Sequence, residues 1–202
     1  MKPSLLCSLA LSASLLCTTA IADQFSNKAY STAPKIEKPM IMTGYTDMDW
    51  ARSVRDVTFT DLQGNSVSFA DHKGKLLMVN LWATWCSPCL KEIPMMKKIA
   101  EANKDNPFAM IPISIDEHQE LVEPFLEKYG FSPYDTWLDP NSDIEEIFPA
   151  NIIPATIMFD ARGNMIGFAR GLLDWSDKDV QPYLEKMMQK YVVELLAEED
   201  SE

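Results

Sequence analysis

Two thiols carry the most reactive chemistry in this sequence: Cys86 and Cys89, separated by Ser87-Pro88. A thiolate attacks a disulfide sulfur, and a second thiol nearby can then attack the mixed disulfide formed at the first. Cys86 is the candidate nucleophile and Cys89 the resolving thiol, which makes the pair a dithiol–disulfide exchange site. An ordinary thiol, with pKa near 8.5, is ionised to only about a few per cent at pH 7; lowering the pKa to about 7 makes it half ionised, a change of about 2 kcal/mol. A pair of inert, buried structural thiols is the alternative reading. A structural zinc site takes about four ligands, and His72 and His118 are the only histidines available to complete one, so no metal and no cofactor is expected.

The flanking residues say how such a thiol could be activated. Leu76-Leu77-Met78-Val79 is an apolar run that reads as a buried central strand. Cys89, Ile93, Met96 and Ala100 recur at the spacing of one helix face. The cysteines therefore fall where a strand ends and a helix begins, and unpaired amide N–H groups with the positive end of the helix dipole favour an anion there.

The string Val79-Asn80-Leu81-Trp82-Ala83-Thr84-Trp85-Cys86-Ser87-Pro88-Cys89 resembles the thioredoxin-like oxidoreductases, in particular their exported TlpA/ResA/CcmG (DsbE) branch. The resemblance runs from about Val54 to Leu184. It implies an α/β fold: a central mixed sheet flanked by helices, an N-terminal β-hairpin and one inserted helix–strand unit. Pro94, inside the helix, matches a proline of that family. By the same resemblance Ile153–Pro154 is a cis-proline bond facing the cysteines, with the main chain of Ile153 free to pair with a client strand. Trp85, Ser87, Pro88, Ile153 and Pro154 are then the client-binding residues. Asn80 stands where thioredoxin has a buried aspartate that moves protons for the second cysteine, and asparagine cannot take a proton. Glu117, after the second central strand, matches a functional glutamate of ResA-like proteins and is the expected base.

Around this centre the chain divides simply. Lys2, the apolar segment Leu5 to Cys17 and Ala20-Ile21-Ala22 form a signal peptide over 1–22 that would carry Cys7 and Cys17 away, with an uncleaved anchor as the alternative. Residues 23–53, polar and with Pro34 and Pro39, read as a linker or irregular arm. The domain occupies 54–196. Within it Val57–Thr60 and Ser66–Phe69 form the hairpin, Ala109–Ile115 a second central strand, and the stretch Ile152–Asp160, with Pro154 at the entry of an apolar strand, and Met165–Ala169 the last two strands. A helix with apolar positions from Val180 to Leu196 closes the domain before an acidic tail over 197–202. The formal net charge of −12, without long basic runs, disfavours nucleic acid and anionic membrane surfaces as partners.

The function expected from these residues and this resemblance is a periplasmic thiol:disulfide oxidoreductase acting as a reductase and working as a monomer. Its clients would be proteins with disulfides, such as apocytochrome c or copper-site proteins, and its electrons would come from a membrane thiol donor of the DsbD or CcdA type. A copper-handling module and a general periplasmic disulfide exchange protein are the alternatives. A thiol peroxidase is disfavoured, because Val79 and Ala83 occupy the proline and threonine positions of the pattern that precedes its nucleophile.

Overall fold

The computed structural model describes residues 27–199; the expected signal peptide and the last three residues lie outside them. Its centre is β5 (Leu76–Trp82), in which every residue is buried. That pattern suits a strand covered on both faces. Alternate residues split between the two sides: Leu76 and Met78 pack with Met96, Ile99, Leu184 and Met187, whereas Leu77, Val79 and Leu81 pack with Phe59, Trp137, Phe148 and Ile157.

β5 pairs in parallel with β6 (Phe108–Ser114) and antiparallel with β8 (Ala155–Phe159), which continues antiparallel to β9 (Met165–Arg170). On the far side of β6 lie β7 (Trp137–Leu138) and the hairpin β3 (Thr58–Asp61) and β4 (Ser66–Ser68). The hairpin turn is built by Asp61, whose Oδ1 accepts the amides of Gln63 and Asn65, and by Gly64 at φ +82°. Helix α1 (Ser87–Ala102) leaves the end of β5; α2 (Val122–Lys128) and α3 (Ile144–Ile147) lie between β6 and β8. α2 with β7 is the inserted unit expected between the second central strand and the proline. These elements form the mixed sheet and flanking helices of a thioredoxin fold.

The sheet extends beyond that expectation. Residues 23–53 read as a linker or irregular arm in the sequence; within them Lys28–Ser31 forms β1 and Tyr45–Arg52 forms β2, and together they extend the order to β1-β2-β9-β8-β5-β6-β7-β3-β4. A register shift between Asp47 and Arg52 breaks the two-residue alternation that would have betrayed β2. The arm is fastened at several points. Tyr45 crosses β9 over Gly167, where a Cβ would lie 2.1 Å from the Tyr45 hydroxyl oxygen and 2.6 Å from the Thr46 carbonyl. The Tyr30 hydroxyl donates to Asp160 at 2.7 Å, and Lys190 reaches the carbonyls of Thr32 and Pro34.

The closing helix is not uniform. α4 (Val180–Met188) passes through a π-helical segment, Gln189–Glu194, into α5 (Leu195–Glu199). The wider turn leaves the Tyr191 carbonyl free to accept the amide of Ala161 at 3.0 Å, which ties the helix to the β8–β9 turn.

Candidate active site

Cys86 is the N-cap of α1 and Pro88 lies in its first turn, where a missing N–H costs nothing. The two cysteines are joined as a disulfide with their Cα atoms 5.3 Å apart. Sγ of Cys86 accepts the backbone amide of Cys89 at 3.3 Å. The same amide donates to the Cys86 carbonyl at 3.0 Å, so the first sulfur shares a first-turn N–H of the helix that would steady its thiolate. In this oxidised form both cysteines are buried, Cys86 4% and Cys89 1% exposed. The packing of Trp82, Ala83, Val122, Leu126 and Tyr134 around them is the reason. Trp82 is held by its indole N–H on the Thr136 hydroxyl at 2.9 Å and meets Tyr134 edge to face.

The loop that delivers Cys86 is pinned by Asp116. This buried carboxylate accepts the Thr84 amide at 2.9 Å, the Thr84 hydroxyl at 2.6 Å and the Ser114 hydroxyl at 2.7 Å. Losing a hydrogen-bonded partner in a buried site costs about 1–3 kcal/mol. Asp116→Ala is therefore expected to lower the free energy of unfolding by that amount, read as a lower urea midpoint at unchanged slope, and to quicken proteolysis around Thr84; an unchanged midpoint would mean that the Ala83–Trp85 loop is held by packing alone.

The acid nearest in chain to the resolving cysteine is Glu92, one helical turn beyond Cys89 and on the same face. It is 1% exposed. Its Oε2 accepts from Asn80 Nδ2 at 3.0 Å, and its Oε1 accepts from the Leu173 amide and the Trp175 indole N–H, each at 3.1 Å. Burial pushes this carboxyl above the ordinary 4.5, and the bonds from Leu173, Asn80 and Trp175 pull it partly back. Asn80, which cannot itself move a proton, thus presents its amide to an acid that can, and also donates to the Thr156 hydroxyl at 3.2 Å.

Glu117, the base expected from the resemblance, has its side chain exposed at the end of β6, while Asp116 turns inward. The reason is strand parity. Asp116 shares a side with Ser114, whose hydroxyl it accepts, and the next residue must face the other way. Trp85 (66% exposed), Ser87 and Pro88 line the outside of the motif. The Ile153–Pro154 bond is cis, and Ile153 packs against the group that holds both cysteines. The structure thus gathers Cys86, Cys89, Trp85, Ser87, Pro88 and Ile153–Pro154 at one end of the sheet and adds Glu92, Asn80, Asp116 and Trp175. Glu92 had a signal in the sequence. It is the one charged residue within the stripe Cys89, Ile93, Met96, Ile99 that buries α1.

A dithiol at a strand-to-helix junction of this sheet, packed against a cis-proline loop, defines a thioredoxin-fold thiol-disulfide oxidoreductase. Comparison with known proteins gives the same class. The thiol-disulfide oxidoreductase ResA of Bacillus thuringiensis subsp. konkukian is 26% identical over 140 residues, which cover 69% of this chain and 79% of that protein. The thioredoxin domain of a thiol-disulfide oxidoreductase from Bacteroides vulgatus superposes with a TM-score of 0.55 at 31% identity, covering 66% of this chain and 93% of that one. The exposed lipoprotein thioredoxin Etrx1 of Streptococcus pneumoniae shares the fold, with a TM-score of 0.57 at 20% identity over 65% of this chain and 99% of that one. Residues 51–167 match the AhpC/TSA family, and the chain belongs to it. Within that family it is a thiol-disulfide oxidoreductase of the TlpA/ResA/CcmG type.

Proposed function

We propose that this oxidoreductase is exported and reduces disulfides of client proteins, with Glu92 rather than Glu117 as the proton acceptor of the resolving step. The thiolate of Cys86 attacks one sulfur of the client disulfide; that S–S bond breaks and the other client sulfur leaves as a thiolate. Cys89 passes its proton to the Glu92 carboxylate, directly or through one water, and its sulfur attacks Cys86. The mixed disulfide breaks, the client leaves with both thiols reduced, and two electrons have moved from this protein to it. The Cys86–Cys89 disulfide that remains is reset by a membrane thiol donor, for which the DsbD and CcdA relays are the family's pattern. The observation that carries the reading is the buried acid one turn from Cys89, on the amide of Asn80.

Client strands would pair with the main chain at Ile153 and rest on Trp85, Ser87 and Pro88, which are exposed around the disulfide. Apocytochrome c cysteines and copper-site cysteines are the proposed client groups, and the periplasm is the proposed compartment. No helix among the described residues is long and apolar enough to cross a membrane. Cys89→Ala, which can form the mixed disulfide but not resolve it, tests the reading. Expressed in an exporting host, it should capture clients as reductant-sensitive adducts at Cys86. Absence of adducts at Cys86, with Cys89→Ala still folded, would reject the exchange mechanism in this direction.

A further inference from the structure

We propose that the loop Gly171–Trp175 is a positioning element, which holds Glu92 with two of its own N–H groups and joins it to the cis-proline loop where a client strand would pair. The proposal rests on Glu92 being the acceptor of the Cys89 proton.

Both bonds to Glu92 Oε1 come from this one loop, from the Leu173 amide and the Trp175 indole, each at 3.1 Å. Leu173 and Trp175 are buried and Leu172 between Gly171 and Leu173 is exposed. The loop is compact: Gly171 has φ +84°, and the Trp175 amide donates to the Leu173 carbonyl at 3.0 Å. Its first residue donates to the Pro154 carbonyl at 2.8 Å, directly beyond the last β8–β9 pair, Ala155 with Arg170. A continuous path of covalent and hydrogen bonds therefore runs from Ile153–Pro154 through Gly171 and Leu173 to Glu92. The groups facing Glu92 are otherwise few. Cys89 on its own helix and Tyr134 from the segment before β7 can titrate; β5 and β8 present Asn80 and Thr156, which cannot. No cation is among the hydrogen-bond partners of the carboxylate, so its charge is carried by neutral donors, two of the three from the loop.

Each donor favours the ionised carboxylate, the form able to take a proton from Cys89. Trp175→Phe keeps an aromatic ring and removes one donor. It is expected to move the midpoint of the pH–rate profile for resolution up by about one unit, which is a rate about tenfold lower on the acid limb. Resolution is read as release of a small thiol from a preformed mixed disulfide at Cys86 in the full chain. The same substitution in a Glu92→Gln background should leave the profile where Glu92→Gln alone puts it. A shift of equal size in both backgrounds would overturn the proposal, because Trp175 would then act by packing. The proton-acceptor reading fails separately, if Glu92→Gln alone leaves rate and profile as in the wild type. In that case the loop is judged by NMR titration of the Glu92 carboxyl carbon: an upward shift in Trp175→Phe supports the loop's hold on Glu92, and an unchanged midpoint overturns it. Should Trp175→Phe fail to fold, benzothienylalanine at position 175 keeps the bicyclic shape without the N–H and carries the same expectations.

Discussion

Glu92→Gln is expected to slow resolution of the mixed disulfide at neutral pH by about 10²–10⁴-fold, the usual worth of a positioned general base. It should leave the first attack by Cys86 close to wild type. Single-turnover kinetics separate the two steps, since capture and release of a coloured thiol are distinct phases. The substitution keeps the shape. The amide oxygen can still accept from Leu173 and Trp175, and Asn80 can turn its own oxygen toward the new NH₂ group. Stability supplies the control. Burial raises the Glu92 carboxyl above 4.5, so the folded chain holds this proton more tightly than the unfolded chain does. Its contribution to stability is therefore complete below about 4.5 and lost as pH rises through the raised value. Glu92→Gln removes that loss. The variant should thus be slower than wild type at pH 7 and at least as resistant to urea, a combination that a merely damaged fold would not show. Equal resolution rates would return the proton of Cys89 to solvent.

Glu117→Gln belongs beside it as the exposed comparison, expected to change little. The two glutamates show which parts of the site could be read in the chain and which could not. The dithiol, its strand and its helix were legible because three signals coincide: an apolar run, two cysteines, and an apolar face at helical spacing. Pro154 was legible through resemblance, as a proline leading an apolar strand. The acid expected from the resemblance, Glu117, and the buried acid proposed as the base, Glu92, lie on different elements. After β6 the sequence offers Asp116 and Glu117 side by side, and only the direction of the pleat decides which turns inward. Glu92 does not stand out in the sequence because a glutamate in a helix ordinarily faces water; here three neutral donors from β5 and from the loop after β9 make its burial tolerable. Two of those donors are over eighty residues away in sequence and one is a main-chain amide, which no residue type announces. Strands β1 and β2 were hidden for a different reason. The pairing of β2 with β9 depends on the bare Cα of Gly167 and on a shift of register, β1 in turn pairs with β2, and none of this leaves an alternating pattern. The π-helical turn that frees the Tyr191 carbonyl is likewise set by a tertiary partner, Ala161, rather than by the residues of the helix.

Cys86→Ser should abolish exchange altogether, while Cys89→Ser should still capture a client and hold it. The asymmetry follows from position. Cys86 caps α1, and its sulfur accepts the amide of Cys89, so the helix terminus acts on the first sulfur and not on the second. Cys89 lies one turn further in, among Ile93, Val122 and Leu126, where loss of solvent raises a thiol pKa. In the reduced protein Cys86 should therefore react with iodoacetamide at neutral pH, with a pH profile centred below the ordinary thiol value near 8.5. Cys89 should react only at higher pH, or after unfolding. Serine at position 86 has the size and the hydrogen bond but no accessible anion, so the first step is lost although the cap is kept. Mass spectrometry of the alkylated chain as a function of pH assigns the label to one cysteine or the other. Faster labelling of Cys89 than of Cys86 at pH 7, or residual disulfide reduction by Cys86→Ser above that of buffer, would reverse the roles of the two sulfurs and move the client to the inner face of the helix.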